Sequence, residues 1–245
     1  METTNPIKTN IQKKFYPASE RGHVNFGWLD SHHSFSFGHW YHPDKTNFGA
    51  LRVLNDDIVE PSMGFGTHPH QNMEIISIPL FGELAHKDST GTNGIIKTGD
   101  VQIMSAGSGI QHSEFNHSSD KKVNFLQIWI LPKVANIQPR YDQKTFPEAG
   151  RLNRFQTVVS PIDEEAVWIN QDAYFSLATL EPGKTLSYKV HAPNQGIYVF
   201  LIQGKISTEG TTLERRDAVG LWGADEYQIQ ADVKSELLVI EIPMK

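Results

Sequence analysis

Two short segments of the chain each carry a pair of potential metal ligands spaced two residues apart. His68 and His70 form the first pair, and His112 and Glu114 form the second. Side chains at positions i and i+2 of a β-strand point to the same face, so each pair can direct two donor atoms at one point. Three imidazoles and one carboxylate suit Fe(II), Mn, Ni, Cu(II) or Zn. The spacing therefore predicts one divalent transition-metal site held by two strands.

Spacing alone leaves the identity of the carboxylate ligand open. Glu74 falls on the same face as His68 and His70 if their strand continues, so it competes with Glu114. Pro69 lies between the two histidines and has no backbone N–H for a β-ladder, which predicts a strand end, an edge strand or a bulge. Such an irregular position is typical of a barrel rim that faces a ligand.

Histidine is unevenly distributed along the chain. Ten of the 11 His precede residue 120, so the predicted chemistry belongs to the first half. His86 is interpreted as part of a polar strand end or turn, with a place at the site entrance as the less favoured alternative. The other histidines are interpreted as packed among aromatic residues (His32, His33, His39 and His42) or as ordinary surface or hydrogen-bonded residues (His23, His117 and His191).

The composition excludes several classes of protein. The 245 residues carry a net charge of −6 and no Cys, so disulfides and thiolate metal ligands are excluded. An acidic chain without a basic stripe is not expected to contact nucleic acid directly. No apolar run approaches the roughly 20 residues that cross a bilayer, and the first residues lack the apolar segment of a signal peptide. We expect a cytoplasmic, monomeric protein without a membrane partner.

Short β-rich runs separated by Gly, Asp and Asn recur about every ten residues along the chain. This spacing predicts an all-β sandwich or barrel fold. No long amphipathic helix is predicted, and residues 163–168 are the candidate for a short helical turn. The predicted strands are 50–53, 74–79, 94–97, 101–104, 124–131, 173–180, 196–202 and 236–242.

The chain divides into two β-rich parts. The stretch between them contains Pro132, Pro139 and Pro147, is polar and lacks strand alternation. Both halves show a weak repetition of strand, Gly turn, strand and acidic turn, which indicates a duplicated barrel. We predict an N-terminal domain over residues 1–135, a linker or crossover over 136–150 and a C-terminal domain over 151–245.

Several segments closely resemble motifs of the pirin family, a branch of the cupin superfamily. The histidines at 68 and 70, followed by Glu74, resemble the first cupin motif, and His112 with Asn116 resembles the second. Ser105 stands where cupins often have Pro, and the pirin branch shows this departure. The pirin-like segments, within about residues 30–132, are HSFSFG (33–38), LRVLNDD (51–57), HPH (68–70), HSEFN (112–116) and QIWILP (127–132).

The resemblance implies two tandem cupin β-barrels (a bicupin) with few short helices and one metal ion, Fe(II) being the family expectation. The ligands that it implies, all in the N-terminal cupin, are His68, His70, His112 and Glu114. Glu74 is then left outside the ligand set, close to the site. The corresponding segments of the second half, 187–189 and 221–225, contain no His. The C-terminal cupin is therefore predicted to lack metal ligands.

The activity that the resemblance implies is that of a quercetin 2,3-dioxygenase, in which a flavonol such as quercetin reacts with O2 and carbon monoxide is released. Glu114 is then expected to be both a ligand and the general base that takes the proton of the flavonol 3-hydroxyl. Two alternatives stay open. One is a metal-dependent, redox-sensing regulatory protein of the pirin type that acts through a protein partner, and the other is a metal with only a structural role.

Overall fold

The computed structural model of the protein describes residues 11–244. Almost all of its regular elements are β-strands, which confirms the predicted all-β class. Helical structure in the described part of the chain is limited to two short 3-10 segments, Ala18–Glu20 and Glu148–Arg151. Neither of them approaches the length of a membrane-crossing helix.

The strands are numbered in chain order. Those of the first half are β1 (Gln12–Tyr16), β2 (Gly22–Asn25), β3 (Leu29–His33), β4 (Leu51–Val59), β5 (Gly64–His70), β6 (Glu74–Phe81), β7 (Glu83–Asp88), β8 (Asn93–Lys97), β9 (Asp100–Ser105), β10 (Ile110–Asn116), β11 (Val123–Ile130) and β12 (Arg140–Thr145). Those of the second half are β13 (Gln156–Ser160), β14 (Val167–Trp168), β15 (Tyr174–Leu180), β16 (Thr185–Lys189), β17 (Gln195–Gln203), β18 (Lys205–Thr208), β19 (Thr211–Glu214), β20 (Ala218–Trp222), β21 (Glu226–Ala231) and β22 (Ser235–Pro243).

The strands form two barrels of the same design. In the first, a seven-stranded sheet of order β12-β9-β6-β11-β4-β3-β2 packs against a four-stranded sheet of order β5-β10-β7-β8. In the second, the order is β1-β20-β17-β22-β15-β13-β14 for the large sheet and β16-β21-β18-β19 for the small one. The outer faces of the two large sheets share one apolar core, so the barrels are joined back to back.

Each large sheet is completed by a strand from an unexpected part of the chain. β1 lies in the predicted N-terminal domain, yet it pairs with β20 of the second barrel. β12 lies within the predicted linker, yet it pairs with β9 of the first barrel over six residues. Both are edge strands whose partners are distant in sequence, so composition alone does not reveal them. The residue bounds of the two domains stay a prediction.

Each of the eight predicted strand runs coincides with a strand, but the helical turn predicted for residues 163–168 is wrong. That segment is a turn followed by β14, which pairs in parallel with β13. The Ser160 hydroxyl accepts the backbone N–H groups of Ile162 and Asp163, and such a local bond competes with helix formation. Val167 is then fully buried in the core between the barrels.

A buried ion pair ties the second barrel to the first. Arg216, in the turn between β19 and β20, donates from Nε to Asp56 on β4 at 2.8 Å and from Nη2 to Asn124 on β11 at 3.1 Å. Arg21 approaches the same carboxylate at 3.5 Å. Burial opposes ionisation of Asp56, but the charges of Arg216 and Arg21 hold its pKa below the usual value. Arg216 has φ of +70°, a conformation that is rare outside glycine and that these bonds sustain.

We expect Arg216→Ala to lower the free energy of unfolding by about 3 kcal/mol. Asp56 would then keep a buried charge with Arg21, at 3.5 Å, as its remaining cationic partner. Urea unfolding at neutral pH measures the change. The exposed neighbour Arg215 is the matched control, and Arg215→Ala should cost less than about 0.5 kcal/mol. Equal losses in the two variants would contradict the role assigned to Arg216.

Candidate metal centre

Three of the predicted ligands lie on two neighbouring strands. β5 and β10 are antiparallel, and their register sets His112 directly opposite His68. The ring centroids are 4.4 Å apart for His68 and His112, and 4.9 Å apart for His70 and each of the other two. One nitrogen from each ring lies within 4.8 Å of the others. The structure therefore brings the three imidazoles to a common point.

The irregularity expected at Pro69 is present. β5 is the edge strand of its sheet, so the missing N–H of Pro69 breaks no interior ladder. The register also shifts between His112 and Glu114, as at a β-bulge. The extra residue lies on β5, because two steps along β10, from His112 to Glu114, match three steps along β5, from His68 to Phe65. β10 keeps a regular register with β7 and an alternating burial pattern, so Glu114 points to the same face as His112.

The protonation of two of the three imidazoles, those of His70 and His112, suits a metal ion. Burial, followed by the charges of His68 and His70, lowers the pKa of His112 to about 2. Burial and the nearby His68 lower the pKa of His70 to about 4. Neutral rings offer the lone pair that ligation needs. His68 Nδ1 lies 2.7 Å from the Gly66 carbonyl, which makes Nδ1 the donor and leaves Nε2 for a metal.

His112 supplies the strongest sign of a missing partner. Its side chain is 2% exposed, and neither ring nitrogen has a hydrogen-bond partner within the described part of the chain. A buried imidazole without partners is destabilising unless another group occupies its lone pair. A transition-metal ion fits this position, because imidazole is one of its preferred ligands.

Glu114 lies beside His112 but outside the group of three histidines. Its carboxylate is within 4.8 Å of donor atoms of His112 and His86. Ser77 donates to Oε1 at 3.1 Å, and Gln127 donates to Oε2 at 2.7 Å. Burial raises the pKa of Glu114 to about 7, although these two hydrogen bonds oppose the shift. Its assignment as fourth ligand stays a prediction.

Glu74, the rival carboxylate, belongs to none of the potential metal groups of residues 11–244. The premise that it continues the strand of His68 and His70 is wrong, because the chain turns at Asn72, which has φ of +50°. Glu74 begins β6, where it accepts the Ser105 hydroxyl at 2.7 Å and the Asn170 N–H of the second half at 3.2 Å. Glu74 therefore links the first barrel to the second half of the chain through a hydrogen bond.

His86 lies beside the candidate metal centre, a place that the sequence interpretation gave only as the less favoured alternative. It is 3% exposed, its Nε2 lies 2.9 Å from Asp88 Oδ2, and its ring centroid lies 5.4 Å from that of His112. The register of β7 and β10 sets His86 opposite Glu114. The alternating residues Leu84, His86 and Asp88 were a usable signal of an inward-facing strand, but the pairing partner was not visible.

A row of buried polar side chains crosses the large sheet and faces the histidines. Its members, opposite one another on β3, β4, β11, β6 and β9, are His33, Asn55, Gln127, Ser77 and Gln102. We call these five residues the polar row. Gln127 and Ser77 reach across the barrel to Glu114, which shows that the row points inward.

The polar row has unused hydrogen-bonding capacity. His33 Nδ1, Asn55 Oδ1 and Gln102 Nε2 are buried and have no partner within residues 11–244. Buried polar atoms in native proteins normally have a partner, either protein, water or ligand. The interior of the first barrel is therefore suited to a ligand with polar groups.

The second barrel has a different interior. Its strands β16 and β21, which correspond to β5 and β10, contain no His. Within residues 11–244, the three groups of side chains that could hold a metal all lie in the first barrel. His191 is exposed and hydrogen-bonded, as the sequence interpretation allowed: its Nδ1 lies 2.7 Å from the buried Glu241, and its ring stacks on Tyr174 at 3.7 Å.

The position of Glu74 predicts a pH-dependent effect on stability in the metal-free protein. Burial raises its pKa from 4.5 to about 7, so the folded state retains a proton that the unfolded state releases, and stability falls as pH rises through this range. The free energy of unfolding of Glu74→Gln should therefore be close to that of the wild type near pH 5 and exceed it by about 1–3 kcal/mol at pH 8. Urea unfolding at both pH values tests this.

Metal content should be unchanged in Glu74→Gln, because Glu74 is not among the grouped ligands. Glu148→Gln, at an exposed position, is the control and should show no difference between the two pH values. If Glu74→Gln raised the free energy of unfolding by the same amount at pH 5 and pH 8, the effect would not come from the charge of Glu74.

Comparison with known proteins agrees with this architecture. The pirin family model matches residues 15–130, and a model of the quercetinase C-terminal cupin domain matches residues 157–242. A quercetin 2,3-dioxygenase of Escherichia coli K12 is 38% identical over 227 residues, which cover 92% of this chain and 96% of that protein. A pirin-like protein of Caulobacter vibrioides is also 38% identical, covering 92% and 97%.

Solved structures give the same result. YhhW from Escherichia coli superposes with a TM-score of 0.91 at 37% identity, covering 96% of this chain and 99% of that one. The same bacterial pirin in complex with nickel(II) gives a TM-score of 0.90 at 36% identity, covering 96% and 100%. The strand order, the two joined barrels and the likeness over nearly the whole length lead to one conclusion: the chain belongs to the pirin family of the cupin superfamily.

Proposed function

We propose that the protein is a metal-dependent dioxygenase that cleaves flavonols such as quercetin with O2. The observation that carries the proposal is the convergence of three imidazoles inside the first barrel, beside the buried carboxylate of Glu114. Relatives named quercetin 2,3-dioxygenase, at about 38% identity over most of the chain, support the reaction class.

The proposed ligands of the ion are His68, His70, His112 and Glu114, and the unpartnered ring nitrogens of His112 support this set. Fe(II) is our proposal for the native metal; the donors also suit nickel, which a relative from Escherichia coli binds. When bound, an ion with open coordination positions would act as a Lewis acid toward a substrate hydroxyl and hold the reactants together.

Glu114 is the proposed acceptor of the flavonol 3-hydroxyl proton. Its carboxylate is buried, and its two hydrogen bonds fix its orientation. A buried carboxylate with a raised pKa is a stronger base than an exposed one, which suits proton abstraction near neutral pH. Ser77 and Gln127 are then positioning residues that hold Glu114 toward the histidines.

The surroundings of the histidines suit a flat, hydroxylated molecule. The ring of Trp129 lies edge-on to His70 at 4.9 Å, and Phe37 packs against Trp129 at 5.3 Å. These aromatic groups offer apolar contact to a flavonol ring, and the polar row offers hydrogen bonds to its oxygen atoms. An open cavity of about 740 Å³ adjoins one of these histidines and is lined in part by His70 and Ile110.

We expect His70→Ala to lose both bound metal and quercetin-dependent O2 uptake, because it removes one of three converging imidazoles. Metal analysis after purification without chelators, combined with an oxygen electrode, measures both quantities. The control His117→Ala changes an exposed histidine on the next loop and should leave both unchanged. Full metal content together with full O2 uptake in His70→Ala would contradict the proposal.

Glu114→Gln should separate metal binding from catalysis. Three imidazoles remain, so we expect metal to bind with reduced affinity, whereas kcat at saturating metal should fall by about 100-fold or more because the proton acceptor is lost. Metal titration and steady-state O2 uptake measure the two effects. Wild-type kcat in this variant would exclude Glu114 as the base. Metal-loaded wild type that consumes no O2 with any flavonol would instead favour the redox-sensing alternative.

A further inference from the structure

A second set of potential metal-binding side chains lies on the hairpin of β2 and β3, on the outer face of the large sheet of the first barrel. The antiparallel register sets His23 directly opposite His32 and Asn25 opposite Asp30. Along β3, Leu29, Ser31 and His33 are buried, so the alternate residues Asp30 and His32 point outward. Two histidines and one carboxylate therefore share the outer face of this hairpin. As with His68, His70 and His112, two residues spaced two apart on one strand combine with a third residue on the paired strand.

The three side chains are already close together. His23 Nε2 lies 2.8 Å from Asp30 Oδ1, and His32 Nδ1 lies 3.7 Å from the same oxygen. The two imidazole rings are nearly parallel, with centroids 4.4 Å apart. One donor atom from each residue lies within 4.8 Å of the others. This group shares no residue with the histidines of the candidate metal centre.

The local charges permit a cation. Burial and the charges of Arg21 and His23 lower the pKa of His32, so its ring is neutral at physiological pH and has a free lone pair. Arg21 donates to the His32 carbonyl at 2.7 Å, but its charge faces Asp56, the carboxylate that it shares with Arg216. Asp30 supplies the carboxylate of this group, in contact with His23 and His32.

We propose that His23, Asp30 and His32 bind a second divalent ion of the borderline class, such as Zn²⁺, Ni²⁺ or Cu²⁺. The donors would be His23 Nε2, a carboxylate oxygen of Asp30 and His32 Nδ1, and water fills the remaining positions. Rotation of side chains that are 39–52% exposed brings the three atoms into coordination distance without moving the backbone. This site is independent of the flavonol reaction.

The exposed position sets the properties of this second site. Binding must order three partly mobile side chains, so its affinity is lower than that of the buried centre. β2 is the edge strand of the large sheet, and an ion that joins it to β3 holds this edge in place. A bound ion stabilises the folded hairpin by mass action, since the unfolded chain does not assemble the three ligands.

Nickel titration of the metal-free, full-length protein tests the proposal. Isothermal calorimetry and equilibrium dialysis should show two Ni²⁺ per chain for the wild type and one for His32→Gln. His39→Gln, which changes an exposed histidine outside the cluster, should still bind two. His70→Ala should lose the tighter site and retain the weaker one. Circular dichroism melting without metal checks that all variants fold.

Paramagnetic Cu²⁺ locates the weaker site. Substoichiometric Cu²⁺ added to His70→Ala should broaden the amide signals of Val24 and Ser31 more than those of the second barrel. A stoichiometry of one in the wild type, or the same stoichiometry in His32→Gln and the wild type, would overturn the proposal. No readout involves a flavonol, so failure of the dioxygenase proposal would leave this result interpretable.

Discussion

The antiparallel register between β5 and β10 is the constraint on which the candidate metal centre depends. It sets His112 opposite His68. His70 lies two residues along β5 from His68 and points to the same face, so three imidazoles from two strands reach one point. A slip of one residue in this pairing would send the side chains of one strand to the other face of the sheet. The edge position of β5 tolerates Pro69 and an extra residue between Phe65 and His68, whereas the regular alternation of β10 points Glu114 to the same face as His112.

The large sheet of the first barrel separates two environments. On β11, Leu126, Ile128 and Ile130 face the apolar core between the barrels, whereas Gln127 faces the histidines. Each fully buried aliphatic side chain contributes about 1.5–3 kcal/mol on folding. Polar atoms without partners oppose this, at about 1–3 kcal/mol each. The shared core between the barrels therefore stabilises a strand framework that can tolerate the polar row.

The two barrels have the same strand order but different interiors. The first brings three imidazoles together beside the buried carboxylate of Glu114, and this arrangement suits a transition-metal ion. The second surrounds the carboxylate of Glu241 with hydrogen bonds from Tyr188 and His191, which satisfy it within the chain. The same strand order thus carries a candidate metal centre in one barrel and a self-contained polar cluster in the other. Arg216 connects them, since it belongs to the second barrel and pairs with Asp56 of the first.

The sequence by itself determined the all-β class, the strand runs and the residue pairs His68/His70 and His112/Glu114, because strand alternation and ligand chemistry are local properties. Only the tertiary structure decided which residues meet. It moved Glu74 to the barrel junction, because the turn at Asn72 ends β5, and it brought His86 beside His112 through the pairing of β7 with β10. It also assigned β1 to the second barrel and revealed the polar row, whose members are far apart in sequence. These features depend on non-local strand pairing, which no single segment of the chain encodes.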